Sequence, residues 1–145
     1  MAKTGKEDIA EESAALKDLL CMRRSVRRFS DESIPLSVMK DLVAIAGSAP
    51  SAANMRPWSF ILIGDPAVKA KIRAAAEEIE RDFYKKKISD EWRQRLVPLN
   101  VDWQKPFLTE APWLTCVFIQ NHGTDRSGNV VKHYYPRESA GIAAG

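Results

Sequence analysis

Only two stretches of this chain read as buried β-strands, and that shortage constrains the fold more than any other feature. Trp58–Ile63 (Trp-Ser-Phe-Ile-Leu-Ile) is a short apolar run ended by Gly64-Asp65-Pro66, and Trp113–Ile119 (Trp-Leu-Thr-Cys-Val-Phe-Ile) is the second. Two strands do not make a stable, covered sheet by themselves. The helical patterns around them carry more apolar surface than such a pair could bury. Either the chain dimerises through this surface, or it is the front part of a larger α+β domain. Its 145 residues contain no internal repeat and no linker, which implies a single domain, 1–145.

Residues 1–8 are polar and read as a flexible tail. Ile9 to Met22 reads as a helix with Leu16, Leu19 and Leu20 on one side. Pro35 opens a second helix through about Ala46, where Val38, Leu42 and Ile45 recur at helical spacing and Gly47 supplies a stop. Asp65 and Pro66 cap the longest helix, up to about Lys87. Its predicted core stripe is Val68, Ile72, Ala75, Ile79 and Phe83. Glu80 and Tyr84 lie four residues apart on the shoulder of that stripe, one above the other. Such shoulder residues usually mark only an amphipathic boundary.

Residues 89–107 repeat Trp92, Leu96, Leu99 and Trp103 at helical spacing, interrupted by Pro98. Two short helices forming a mobile active-site cover fit this pattern, and two ordinary packing helices fit it too. Asn121–Asn129 is rich in turn formers and reads as a loop. Pro136–Gly145 reads as a helix whose small residues permit close helix contact.

The charge is local. Lys and Arg number 22 against 19 Asp and Glu, too even a balance for nucleic-acid binding by bulk charge. Yet Arg23-Arg24-Ser25-Val26-Arg27-Arg28 packs four arginines into six positions. Guanidinium groups offer planar, permanently charged forks of donors suited to phosphate, and Val26 and Phe29 give the stretch apolar anchors. A pre-organised anion site and a plain basic surface both fit it. A small nucleic-acid binder fits poorly, because a surrounding basic face and flanking exposed aromatics are missing. A second candidate is the proline-bounded run Ser48–Pro57, whose small side chains let a backbone approach a flat ligand closely; a tight surface connection is the alternative.

Other chemistries find little support. Cys21, Cys116, His122 and His133 have no standard zinc spacing, and two cysteines do not form a disulfide scaffold. No Ser-His-Asp or Cys-His constellation is visible. The N-terminus lacks an apolar signal region, and no run approaches membrane-spanning length, so a cytoplasmic protein is expected.

Arg-Arg-Ser-Val-Arg, followed by Ala49-Pro50-Ser51-Ala52-Ala53-Asn54 and Pro57-Trp58, resembles the nitroreductase superfamily of FMN-dependent oxidoreductases. Asp65-Pro66, Val68-Lys69, Lys71-Ile72-Arg73, Trp92, Trp103, Ala111-Pro112, His122-Gly123 and His133-Tyr134-Tyr135 are similar to its iodotyrosine deiodinase branch. The resemblance runs from about Met22 to the end. It implies an α+β, nitroreductase-like FMN-binding fold with helices around a mixed sheet, a homodimer, and NAD(P)H or a reductase as electron donor. It implies that Arg23, Arg24, Ser25 and Arg27 hold the FMN phosphate and ribityl chain, and that Ser51 and Ala52 line the flavin. The Ala53 N–H would meet a substrate phenolate oxygen, favouring the keto tautomer. Glu80, Tyr84 and Lys105 would grip the amino-acid end of a halotyrosine: a zwitterion needs an anion for its ammonium and donors for its carboxylate. Lys105 would come from the cover, so binding would draw it shut.

The expected activity is reductive dehalogenation of halogenated tyrosine. A general nitroreductase or quinone reductase is one alternative; a truncated, non-catalytic fragment is another. Three features depart from the branch: the middle of Ser51-Ala52-Ala53, where glycine is more usual; Asn54, which is closer to general nitroreductases; and Pro98. Family members also continue past Gly145, with further strands, another phosphate-binding arginine, a threonine or related donor near the flavin and arms around a partner subunit. The chain is therefore expected to be C-terminally incomplete. Arg28 stays outside the flavin set, either solvated or paired with Asp31 or Glu32.

Overall fold

The structure, a computed structural model, describes residues 6–145. The first five residues of the expected tail lie outside that range; the helix begins at Lys6, three residues before the apolar pattern does. Among the described residues six α-helices and four β-strands follow in chain order, arranged as α+β.

Helix α1 (Lys6–Cys21) delivers the arginine stretch, which runs without regular structure to Pro35. Helix α2 (Leu36–Gly47) starts directly after Pro35. Strands β1 (Trp58–Ile63) and β2 (Leu114–Ile119) pair antiparallel, with Trp58 opposite Ile119 and Ile63 opposite Leu114. The pair is extended by the Gln120 N–H, which donates to the Pro57 carbonyl at 3.0 Å, and by Gln120 Nε2 donating to Ser59 Oγ at 2.7 Å. Gly64 ends β1 beside the Trp113 ring. A Cβ there would come within 2.7 Å of Trp113 Cζ3, so the close approach of strand end and indole requires glycine.

Helix α3 (Pro66–Lys86) begins as its sequence dictates. Asp65 Oδ1 accepts from the N–H groups of Ala67 at 2.7 Å and Val68 at 3.0 Å, and Pro66 occupies the first turn. Helix α4 (Asp90–Leu96), a 3-10 turn at Val97–Leu99 containing Pro98, and the single turn α5 (Phe107–Glu110) build the segment expected as a cover. Helix α6 (Pro136–Ala144) lays Ser139, Ala140 and Ala143 against β2 and α2. Ala140 and Ala143 meet Trp58, with Ala49 and Phe60 beside them, in a modest core.

Two expectations need correction. Asn121–Asn129 is not wholly a loop. It contributes β3 (His122–Thr124), which pairs antiparallel with β4 (Val130–Lys132). The turn between them is built by Asp125, whose Oδ1 accepts from the N–H groups of Ser127 and Asn129, and by Gly128 at φ +85. Three-residue strands are too short for their alternation to show in sequence.

The second correction concerns α3. Val68 and Ile79 of its predicted core stripe are exposed, Ile79 by 71%, while Ile72 and Phe83 are half-buried. The buried or half-buried side instead includes Lys69, Arg73, Glu77, Glu80 and Tyr84. The reason is what this side packs on. Residues 101–111 are mostly irregular backbone whose carbonyls and N–H groups need partners, and long polar side chains supply them.

Much apolar surface is uncovered, as the two-strand shortage implied. Leu19 of α1 is 62% exposed and Ile45 of α2 is 68% exposed; Ile61, Phe118 and Ile119 on the strand pair are also exposed.

Candidate functional site

Five side chains on one side of α3 clasp the segment 101–111. Lys69 is 6% exposed, and its Nζ donates to the carbonyls of Ala111 at 2.7 Å and Thr109 at 3.3 Å. Arg73 Nη1 donates to Thr109 Oγ1 at 2.9 Å and its Nε to Glu77 Oε1 at 2.7 Å. That same Glu77 oxygen accepts the Lys105 backbone N–H at 2.8 Å. Lys105 Nζ stands 3.1 Å from Glu80 Oε2 and donates to the Asp102 carbonyl at 2.5 Å. Tyr84 Oη reaches the Val101 carbonyl at 3.4 Å, and Lys105 Nζ lies 5.9 Å from the Tyr84 ring centre. Residues 69, 73, 77, 80 and 84 are spaced by three or four, one helical face.

The two tryptophans of residues 89–107 dock on the same helix. Trp92 meets Phe83 edge to face at 5.2 Å, and the Arg81 guanidinium lies 4.4 Å over the Trp103 ring. Pro98 therefore separates two anchored pieces.

Electrostatics follow from these contacts. The Lys105 backbone N–H, then the Arg73 guanidinium, hold the Glu77 carboxyl below its ordinary value of 4.5. Burial, then the charges of Glu80 and Asp102, push the Tyr84 phenol above its ordinary 10.0. Tyr84 thus remains a protonated donor at neutral pH, while Glu80 faces the cation of Lys105.

Glu80, Tyr84 and Lys105 are therefore together in space. Lys105 also lines an open cleft of about 780 Å³, whose lining includes Ser25, Arg27, Arg28 and Phe29. Phe29 packs on Phe107 at 6.3 Å, so the arginine stretch and the cover meet through an aromatic pair. Arg28 is neither paired with Asp31 nor with Glu32; it shares the cleft with Arg27. Arg23 and Arg24 do not line it. Arg24 Nη1 donates instead to the carbonyls of Cys21 and Arg23, each at 2.8 Å, which closes the C-terminus of α1. Among the described residues none of the four arginines forms an ion pair. Arg27 and Arg28 share the cleft with Asp102 and Glu110 but form an ion pair with neither, so their guanidinium forks remain a donor set that fits a phosphate.

Ser51, Ala52 and Ala53 lie elsewhere and do not line this cleft. Their loop is strained: Ala53, Asn54 and Arg56 have φ of +50, +54 and +46. Each costs on the order of 1 kcal/mol, the first most clearly, since alanine has no side-chain hydrogen bond to offer in return. Ser51 Oγ holds the loop by accepting the Arg56 N–H at 2.9 Å. Backbone strain of this kind fits a segment shaped for close approach to a ligand.

Lys69, Arg73 and Glu77 were missed as site-building residues. Their i, i+4, i+8 spacing places them on one side of the helix, but the sequence reading of α3 rests on its apolar stripe and gives them no packing role. No group of three or more metal-ligating side chains occurs among the described residues. No described helix is long and apolar enough to cross a membrane.

Comparison with known proteins identifies relatives over most of the chain. Residues 20–145 match the nitroreductase family. Iodotyrosine deiodinase of Haliscomenobacter hydrossis is 43% identical over 139 residues, 96% of this chain and 63% of that protein. Human iodotyrosine deiodinase 1 is 39% identical over 140 residues, 97% of this chain and 48% of the relative. A crystal structure of oxidized iodotyrosine deiodinase bound to FMN and 3-iodo-L-tyrosine superposes with a TM-score of 0.77 at 35% identity, covering 90% of this chain and 65% of that one. The chain thus spans about half to two thirds of the length of these relatives. With the match running through the arginine stretch, the strand pair and the cover, this chain belongs to the nitroreductase family.

Proposed function

We propose that this chain serves FMN-dependent reductive dehalogenation of halogenated tyrosine. The observation that carries the reading is the convergence of Glu80, Tyr84 and Lys105, with Lys105 on the wall of the cleft that Ser25 and Arg27 also line. An ammonium, a carboxylate and a phenol in one cluster complement a zwitterion, a demand that a general nitroaromatic reductase does not have. The similarity to iodotyrosine deiodinases supports the same substrate class.

The roles divide by chemistry. Ser25 and Arg27 offer donors to the FMN phosphate and ribityl chain from the cleft. Arg23 and Arg24, outside the cleft, join them only if the stretch rearranges and Arg24 leaves the Cys21 and Arg23 carbonyls. Ser51 and Ala52, also outside it, offer a small-residue wall to the flavin. When bound, the flavin supplies the electrons that expel halide. Glu80 receives the substrate ammonium. Lys105 and the protonated Tyr84 donate to its carboxylate. The Ala53 N–H donates to the phenolate oxygen, helped by a loop already held in its strained shape. The cover carrying Lys105 excludes water around the ligand. NAD(P)H or a reductase is the electron source, and the protein works as a cytoplasmic homodimer, a state favoured by the uncovered apolar surface.

Glu80→Gln and Lys105→Ala are each expected to weaken 3-iodotyrosine binding by about tenfold or more, with FMN affinity nearly unchanged. Quenching of flavin fluorescence during titration reads both. Equal loss of the two ligands would sink the assignment. Nitroaromatic turnover without halide release would point to a general nitroreductase.

A further inference from the structure

α3 holds Lys105 both through its charge and, separately, through its backbone. Its ammonium reaches Glu80, while its backbone N–H is bound by Glu77 at 2.8 Å. The Glu77 side chain is only 16% exposed, and the Lys105 side chain 15%. Glu77 is in turn braced by Arg73 Nε at 2.7 Å, and Arg73 reaches past it to Thr109 Oγ1. The stretch from Lys105 to Thr109 is thereby pinned at both ends to consecutive turns of one rigid helix.

A flexible four-carbon ammonium is a poor positioning device unless its own backbone is fixed. Residues 100–106 have no regular structure that would fix it. The Lys105 carbonyl accepts the Leu108 N–H at 3.0 Å, which ties it to α5, and among the described residues the only bond to the Lys105 N–H, the one that ties it to α3, comes from Glu77. We propose that Glu77 is a positioning residue: by binding the Lys105 backbone it sets where the ammonium meets the substrate carboxylate, without touching substrate or flavin. This inference rests on the halotyrosine reading of the site.

The test compares two ligands on the flavin-loaded full chain by calorimetry: 3-iodotyrosine, and 2-iodophenol, which lacks the amino-acid end. Glu77→Ala is expected to weaken 3-iodotyrosine about tenfold and 2-iodophenol less than about twofold. Glu77→Gln restores most of the affinity, because its amide oxygen still accepts the Lys105 N–H. In a Lys105→Ala background, Glu77→Ala adds less than about twofold, since both changes act through one group. Amide hydrogen exchange needs no flavin and checks the contact directly: the Lys105 N–H exchanges at least about tenfold faster in Glu77→Ala. Glu77→Asp, which withdraws the carboxylate by one methylene, carries the same comparison should the alanine variant not fold.

Equal losses on both ligands, full additivity with Lys105→Ala, or unchanged exchange at Lys105 each overturn the positioning role while leaving the halotyrosine reading intact. A wild-type protein that does not prefer 3-iodotyrosine over 2-iodophenol overturns the reading, and the role of Glu77 with it.

Discussion

The polar face of α3 and the arginine stretch are both dense in charge, yet they stand in opposite states. On α3, Lys69, Arg73, Glu77 and Glu80 each meet a partner from residues 101–111 or from the same face, and are buried or half-buried. Arg23, Arg24, Arg27 and Arg28 are exposed. The contacts of Arg24 and Arg27 go to backbone carbonyls no more than three residues away. The first region has spent its charge on holding the chain together. The second keeps its charge exposed and unpaired among the described residues. Similar residue types thus serve structure in one place and stay unpaired and exposed in another, and burial with a partner is what distinguishes them.

The largest expected effect that sharpens this contrast is at Lys69. Lys69→Met keeps the aliphatic stem and removes the donor, leaving the carbonyls of Ala111 and Thr109 without it in a buried setting. A loss of about 3 kcal/mol is expected, because bonds to a charged donor are strong and a buried acceptor left unmade is costly. Denaturant unfolding measures it. A change below about 1 kcal/mol would mean the α3 contacts are incidental and the contrast with the arginines unreal.

A second effect comes from acid. The Glu77 carboxyl is held below 4.5 in the folded chain, first by the Lys105 N–H and then by Arg73. The unfolded chain therefore takes up this proton first as pH falls. The stability Glu77 contributes is present in full above its unfolded value near 4.5 and is lost as pH drops through its lower folded value. Thermal unfolding followed from about pH 6 to about pH 3 should show a steeper decline for the wild type than for Glu77→Gln, which has no proton to gain. Parallel curves would remove Glu77 from the set of charges that fasten the cover.

How far these regions were legible in sequence follows the same division. The strand pair was read with its borders nearly correct, because apolar runs ended by turn residues are local signals. The Asp65-Pro66 start of α3 was also local. The arginine stretch announced itself by density, and Glu80 with Tyr84 by family resemblance. The inward turn of Lys69, Arg73 and Glu77 was not legible. Amphipathic patterning assumes an apolar partner, whereas this helix packs on irregular backbone whose demands are polar. The exposed Val68 and Ile79 show the same error from the other side. The β3–β4 hairpin escaped because its strands are three residues each and its turn is made by the side chain of Asp125.

The smallest structural effect is expected at Arg27, and it is the more telling for that. Arg27 is exposed, forms no ion pair among the described residues, and donates only to the nearby Ser25 carbonyl at 3.3 Å. Removing such a group costs the fold almost nothing, so Arg27→Ala should move the melting temperature by less than about 2 °C. The same change should weaken FMN binding by about tenfold, since a charge-assisted phosphate contact is worth that much. Melting curves and flavin titration on one preparation measure both quantities. Loss of stability on the scale of Lys69→Met, with FMN affinity intact, would reassign the arginine stretch to packing. An unchanged fold with impaired FMN binding would confirm that its charge is held in reserve for a ligand.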